Sequence, residues 1–168
     1  MKRSSARAMT ADPSDDSRVW LTGSDAVAAI IQVEDGRYLM QHRDSAPEIW
    51  YPDHWGCFGG AVHTGEDPQD ALQREVYEEL EFKLRKATYF TRLDFDLTGL
   101  HMSHYYRIYY VVEMTLAELG AVVLHEGKDV QAFSGETLLN TLRVTPYDAF
   151  AMFLYHERKR LGPEKRLT

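Results

Sequence analysis

The stretch GGAVHTGEDPQDALQREVYEELEF, residues 59–82, decides how the rest of this chain is read. It opens on paired glycines, passes Gly65, and enters a helical pattern at Asp67-Pro68. Asp67 suits a helix cap and Pro68 a first turn, where a missing backbone N–H costs little. Leu72, Val76 and Leu80 recur at i, i+4 and i+8, which predicts a buried stripe on a helix running to about Leu80. Glu75, Glu78 and Glu79 fall at i, i+3 and i+4 on a neighbouring face, at the margin of the core. Like charges at this spacing repel, so the isolated helix gains nothing from them. A hard divalent cation reverses that sign, because Mg²⁺ takes oxygen ligands and keeps several waters while binding a few carboxylates and substrate phosphates. Taken alone, REVYEEL serves equally as a solvated helix with Arg74 and Glu78 as an i, i+4 pair. The glycines ahead of it shift the balance, since they permit a tight loop whose backbone carbonyl faces a metal.

The rest of the chain supports that setting. Its 168 residues fit one domain, with 44% apolar and 27% charged residues, close to the globular average. A formal net charge of −7 argues against a nucleic-acid duplex as partner, whose phosphates are neutralised by Lys and Arg. An acidic protein that handles phosphates needs a cation between them. Cys57 is the only cysteine, which excludes an intramolecular disulfide and a cysteine-rich zinc site and makes a reducing, cytoplasmic setting the default expectation. No stretch approaches the roughly 20 apolar residues that span a bilayer, and no membrane partner is expected.

Residues 1–18 read as a mobile tail, 19–160 as the domain, and 161–168 as a C-terminal tail. DAVAAIIQV and YLMQHRD flank an Asp-Gly turn signal and predict a hairpin. SAPEIWYPDHW reads as an ordered loop leading to a short strand at GCFGG. ATYFTRLDFDL and HYYRIYYVVEM predict a second antiparallel pair, whose tyrosines divide between two sheet faces; these aromatic-rich strands also offer a possible homodimer surface. LAEL is a helical turn, and AVVLHEGKDVQAFS gives strand pieces on either side of Glu126-Gly127. SGETLLNTL opens a short helix, and TPYDAFAMFLYHERKR a longer one with Phe150, Phe153 and Leu154 as its apolar stripe. The order strands, helix, strands, helix predicts a mixed sheet flanked by helices.

The opening stretch resembles the Nudix hydrolase signature, G-x5-E-x7-R-E-U-x-E-E-x-G-U, with U a bulky apolar residue. Gly60, Glu66, Arg74, Glu75, Val76, Glu78, Glu79 and Phe82 stand in the required places, and only the second glycine departs, being Glu81. The resemblance implies an α/β (α+β) fold, a Nudix-like α/β/α sandwich. A glutamate adopts a left-handed helix end less readily than glycine, so the helix is expected to run slightly beyond Leu80 before turning.

The resemblance also implies an activity: Mg²⁺-dependent hydrolysis, with Mn²⁺ possible, of a diphosphate bond in a nucleoside diphosphate linked to another group. Glu78 and Glu79 are then the metal ligands, Glu75 a further ligand or the base that activates water, and the Gly60 carbonyl part of the shell. Arg74 pairs with Glu66 or a helix carboxylate and orients it. A later glutamate assists in several members, and Glu126 is the first choice here, Glu113 the second. Trp50, Tyr51 and Trp55 either stack on a base or sugar or pack the loop. His63 stands where many members have an acid, which makes it a phosphate contact or an ordinary surface residue.

Alternatives to this activity are nucleotide-sugar hydrolysis at the sugar carbon, isoprenoid diphosphate isomerisation through Cys57, and a non-catalytic nucleotide-binding regulatory module. A buried thiol is the simpler account of Cys57.

Overall fold

The structure, a computed structural model, describes residues 21–161. The expected tail at 1–18 lies outside the described residues, as does nearly all of that at 161–168. The elements run β1 (Ala26–Val33), β2 (Tyr38–His42), β3 (Trp55–Gly56), α1 (Pro68–Leu80), β4 (Thr88–Phe95), β5 (Tyr105–Met114), α2 (Leu116–Leu119), β6 (Asp129–Phe133), α3 (Gly135–Asn140) and α4 (Pro146–His156).

The strands form one mixed six-stranded sheet in the order β3-β2-β1-β5-β4, with β6 paired to β2. β1 and β2 are the predicted antiparallel hairpin, turned at Gly36 with φ 89°. β4 and β5 are the second predicted pair. The long-range step is β1 on β5, which pair in parallel from Ala26↔Arg107 to Val33↔Met114.

Side chains alternate across a strand, so β1 feeds two cores. Val27, Ala29 and Ile31 pack with Ile108, Tyr110 and Val112 against Leu72, Val76 and Leu80 of α1. Ala28 and Ile30 pack with Met40 and Tyr109 against Leu138 of α3 and Ala151, Met152 and Tyr155 of α4. Helices therefore cover both sheet faces, giving the α/β/α sandwich. Leu72, Val76 and Leu80 are fully buried, and each such burial stabilises by about 1.5–3 kcal/mol. No helix among the described residues is long and apolar enough to cross a membrane.

The structure corrects three expectations. First, α1 stops at Leu80, and Glu81 itself takes the left-handed conformation, φ 53° and ψ 19°, donating its N–H to the Tyr77 carbonyl at 2.8 Å. Second, AVVL is not a strand. Val123 N–H donates to the Leu80 carbonyl at 3.2 Å and His125 N–H to the Glu79 carbonyl at 2.9 Å. The segment thus satisfies carbonyls that α1 leaves unpaired at its end. Third, Phe150 and Phe153 of α4 are exposed, and the buried face carries Asp148, Ala151, Met152 and Tyr155. The helix is rotated because Asp148, 1% exposed, finds four donors inside the fold; apolar spacing alone does not mark an aspartate as core.

Candidate active site

The loop between β3 and α1 is laid along β1. Ala29 N–H donates to the Phe58 carbonyl at 2.8 Å and Val27 N–H to the Gly60 carbonyl at 2.9 Å. Gly59, at φ 129°, lies so close to β1 that a Cβ there would overlap the Val27 carbonyl oxygen. The same approach aims the Gly59 N–H at Oε2 of Glu79, 2.9 Å away. Glu79 is 5% exposed, and Gln41 Nε2 lies 3.4 Å from its Oε1. Burial raises its carboxyl to about 8; the Gly59 N–H opposes this, and the nearby Glu126 and Glu75 reinforce it.

Gly60 is equally constrained, because a Cβ there would overlap the Glu75 carboxylate. Arg74 ties the loop to the helix. Its Nε and Nη2 donate to the two oxygens of Glu66, both at 2.9 Å, Nη2 also reaches the Ala61 carbonyl at 3.0 Å, and Nη1 donates to Glu75 Oε1 at 2.6 Å. This fork, together with the His63 N–H, holds the Glu66 carboxyl down at about 2. Glu78 Oε2 lies 3.4 Å from Arg74 Nη1, with its side chain 58% exposed.

The donor set suits a hard divalent cation, since it consists of the Glu75, Glu78 and Glu79 carboxylates and the Gly60 carbonyl, all oxygen. Among the described residues no three acidic, His or Cys side chains converge tightly enough to hold an ion, and Arg74 engages Glu75 and Glu78. A cation held by these carboxylates would have to compete with Arg74 for Glu75 and Glu78. The Gly60 position, which admits no side chain against Glu75, fits that arrangement.

Beside the loop lies a cavity of about 250 Å³, floored by Gly59, Gly60 and Ala61. Trp50, Phe95, Tyr105 and Tyr147 supply aromatic walls, and Arg43, Arg107 and Glu126 supply charge. Trp50 is fixed by its Nε1–H to the Thr22 carbonyl at 2.8 Å and by Arg43 Nε, which donates to its carbonyl at 3.1 Å. Tyr105 stacks on Phe95, 5.1 Å between centroids, and meets Trp50 edge-on at 6.4 Å. Glu126 reaches this place because its neighbour His125 is bonded to the end of α1 and its own carbonyl accepts from Gln41 Nε2 at 3.1 Å.

Of the sequence-predicted residues, Trp50, Gly60 and Glu126 meet around the cavity, next to the helix bearing Arg74, Glu75, Glu78 and Glu79. Tyr51 stands behind the wall, edge-on to Tyr147 at 5.7 Å. Trp55 stacks on His42 at 4.8 Å and abuts Phe133, away from the lining. His63 is an exposed neighbour of Glu66, with 3.7 Å between Nδ1 and Oε2. Glu113 lines a separate crevice with Arg85 and Thr88. Cys57 is buried, its N–H donating to Asp148 at 2.9 Å, and burial pushes its thiol well above the ordinary range.

Sequence reading missed Arg43, Phe95, Tyr105, Arg107, Tyr147 and Asp148. Strand tyrosines pass for core, and an aspartate in a first helical turn passes for a dipole partner; nothing local distinguishes them.

The NUDIX domain model matches residues 23–153. A stretch of 58 residues is 41% identical to the nucleoside triphosphatase NudI of Escherichia fergusonii, covering 34% of this chain and 40% of that relative's length. The crystal structure of a MutT Nudix hydrolase from Burkholderia pseudomallei is 25% identical with a TM-score of 0.63, covering 77% of this chain and 95% of the other. That of the MutT protein from Methanosarcina mazei Go1 shares the fold at 22% identity, with a TM-score of 0.65, 84% of this chain and 98% of the other. With its family match running from the cavity's first strand through the glutamate helix and into α4, this chain belongs to the Nudix domain family.

Proposed function

We propose that this chain is a Mg²⁺-dependent pyrophosphohydrolase, with Mn²⁺ as the alternative ion, cleaving a diphosphate bond in a nucleoside diphosphate derivative. One observation carries this reading: the buried Glu79 carboxylate is aimed by the Gly59 N–H toward the glycine loop, with Glu75 and Glu126 close by at the edge of an aromatic cavity. The 41% identity over 58 residues to a nucleoside triphosphatase supports the substrate class.

In this reading Glu75, Glu78, Glu79 and the Gly60 carbonyl hold the cation, which when bound neutralises diphosphate charge and acidifies a water. Glu126, with Glu75 as the other choice, accepts the proton from the attacking water. Arg74 positions rather than reacts: its bonds to Glu66, Glu75 and the Ala61 carbonyl fix the loop against the helix. Trp50 stacks on the nucleoside, and the cavity walls exclude water around it.

The test is a panel of nucleoside triphosphates, nucleotide sugars, dinucleoside polyphosphates and ADP-ribose with Mg²⁺, reading phosphate, diphosphate and sugar release. Nucleoside monophosphate as a product is the expected result. Free sugar with an intact nucleoside diphosphate would favour the glycosyl hydrolase instead. Binding without turnover across the panel would favour the regulatory module.

A further inference from the structure

We infer that Arg107 reads the base of the bound nucleotide, selecting a nucleobase with two hydrogen-bond acceptors side by side: guanine through O6 and N7, or cytosine through O2 and N3. The inference rests on the cavity being the nucleoside site of the activity proposed above, and it goes further in naming the base chemistry and the residue that reads it.

Arg107 lies on β5 opposite Ala26 of β1, and both line the cavity. Its guanidinium is fixed from behind. Nε donates to Asp148 Oδ1 at 3.2 Å, and Asp148 is itself immobilised by the Tyr109 hydroxyl at 2.9 Å, the Cys57 N–H at 2.9 Å and the Thr145 hydroxyl at 2.8 Å. The rings of Tyr147 and Tyr109 flank the guanidinium carbon at 5.2 and 5.7 Å. Among the described residues Asp148 is the only hydrogen-bond partner of the Arg107 guanidinium, and none of its nitrogens is buried without a partner. The four N–H groups on Nη1 and Nη2 are thus left for whatever enters the cavity.

Two features make a base, rather than a phosphate, the fitting ligand. Asp148 already balances the charge of Arg107, so the pair presents a directional donor fork more than a net positive charge. The walls beside it are Trp50, Phe95 and Tyr105, surfaces for a flat ring, whereas the diphosphate has its carboxylate and cation positions at Gly60 and α1.

A planar fork of parallel donors matches paired acceptors. Adenine places its amino donor beside N7, and uracil flanks each carbonyl with N–H. Either base sets donor against donor and leaves a desolvated group unpaired.

The experiment measures binding of guanosine, cytidine, adenosine and uridine by calorimetry without phosphate or metal. In parallel, kcat/KM for the four triphosphates with Mg²⁺ is measured in the wild type and in Arg107→Lys, which keeps the charge facing Asp148 and loses the fork. Guanosine or cytidine is expected to bind about tenfold or more tighter than adenosine and uridine; whichever of the two binds tighter identifies the edge read. In a folded Arg107→Lys the preference should collapse. Equal binding of all four by the wild type overturns the inference, whether or not the variant folds. So does a preference that survives in the variant, or a loss equal for all four, which would make Arg107 a phosphate contact. Selective nucleoside binding with no turnover would sink the hydrolase reading and sustain this one; turnover without base preference would do the reverse.

Discussion

The backbone N–H of Gly59 donates to Oε2 of Glu79 at 2.9 Å, joining a loop that only glycine can form to the most buried carboxylate of the glutamate helix. Changing Glu79 to Gln keeps an oxygen acceptor for that N–H and removes the charge. Turnover should fall on the order of a hundredfold or more, while the thermal midpoint of the metal-free protein holds or rises, because a neutral amide is less costly to bury. A variant that retains most activity would remove Glu79 from the metal site.

The pH dependence of the metal-free protein follows from the same group. Burial raises the Glu79 carboxyl from 4.5 to about 8, so between those values the folded protein holds a proton that the unfolded chain has released. Its contribution to stability is full below 4.5 and is lost as pH rises through about 8. The wild-type midpoint should therefore decline across this window more steeply than that of Glu79→Gln, and, with the ionised Glu79 carboxylate as the proposed ligand, saturating Mg²⁺ should reverse the trend. Parallel Tm-versus-pH curves for the two proteins would count against this assignment.

The paired glycines should fail in different ways. Ala at Gly60 pushes against the Glu75 carboxylate, a side chain able to move; kcat/KM should drop by roughly 10–100-fold with little change in midpoint. Ala at Gly59 meets the Val27 carbonyl oxygen at a positive φ, and should destabilise by about 1–3 kcal/mol. Chemical denaturation and initial rates separate the two, and the reverse pattern would contradict the assignment.

Glu81→Gly should act on stability more than on rate. Glutamate at φ 53° carries left-handed strain of about 1–2 kcal/mol that glycine relieves. The gain is partly offset by loss of the exposed His125 Nε2 to Glu81 Oε1 contact at 2.7 Å. A net stabilisation of about 1 kcal/mol with kcat within about twofold is the expected outcome; a large rate gain would show that the departure from the family glycine is functional.

Glu126→Gln and Glu113→Gln test the distal glutamate. Glu126 lines the cavity together with Gly60, whereas Glu113 faces a separate crevice. Turnover should fall by about 10²–10⁴-fold in the first and stay near wild type in the second. Unchanged rates in both would leave the base to Glu75.

Much of this was legible in the chain because it is local. Residues 59–82 carry cap, first-turn proline, apolar stripe and carboxylate face within a few helical turns, so spacing predicts α1 and its carboxylate face, while the chemistry expected of it came from the family resemblance. The two hairpin-like strand pairs follow for the same reason: period-two alternation and short connections are properties of neighbouring residues. What spacing misjudged was settled at long range. AVVL became a cap for the carbonyls of α1 rather than a strand, and Glu81 turned left-handed where a longer helix was expected. α4 rotated Phe150 and Phe153 outward because Asp148 finds the Cys57, Arg107, Tyr109 and Thr145 donors in the core. The sequence by itself determined the glutamate helix, its glycine approach and the family they belong to. Only the tertiary structure decided which aromatics and which arginines share a cavity with them, because that set comes from β1 pairing in parallel with β5 and from α4 closing over the sheet, contacts between residues far apart in the chain, 41 for Arg107 with Asp148 and 91 for Cys57 with Asp148.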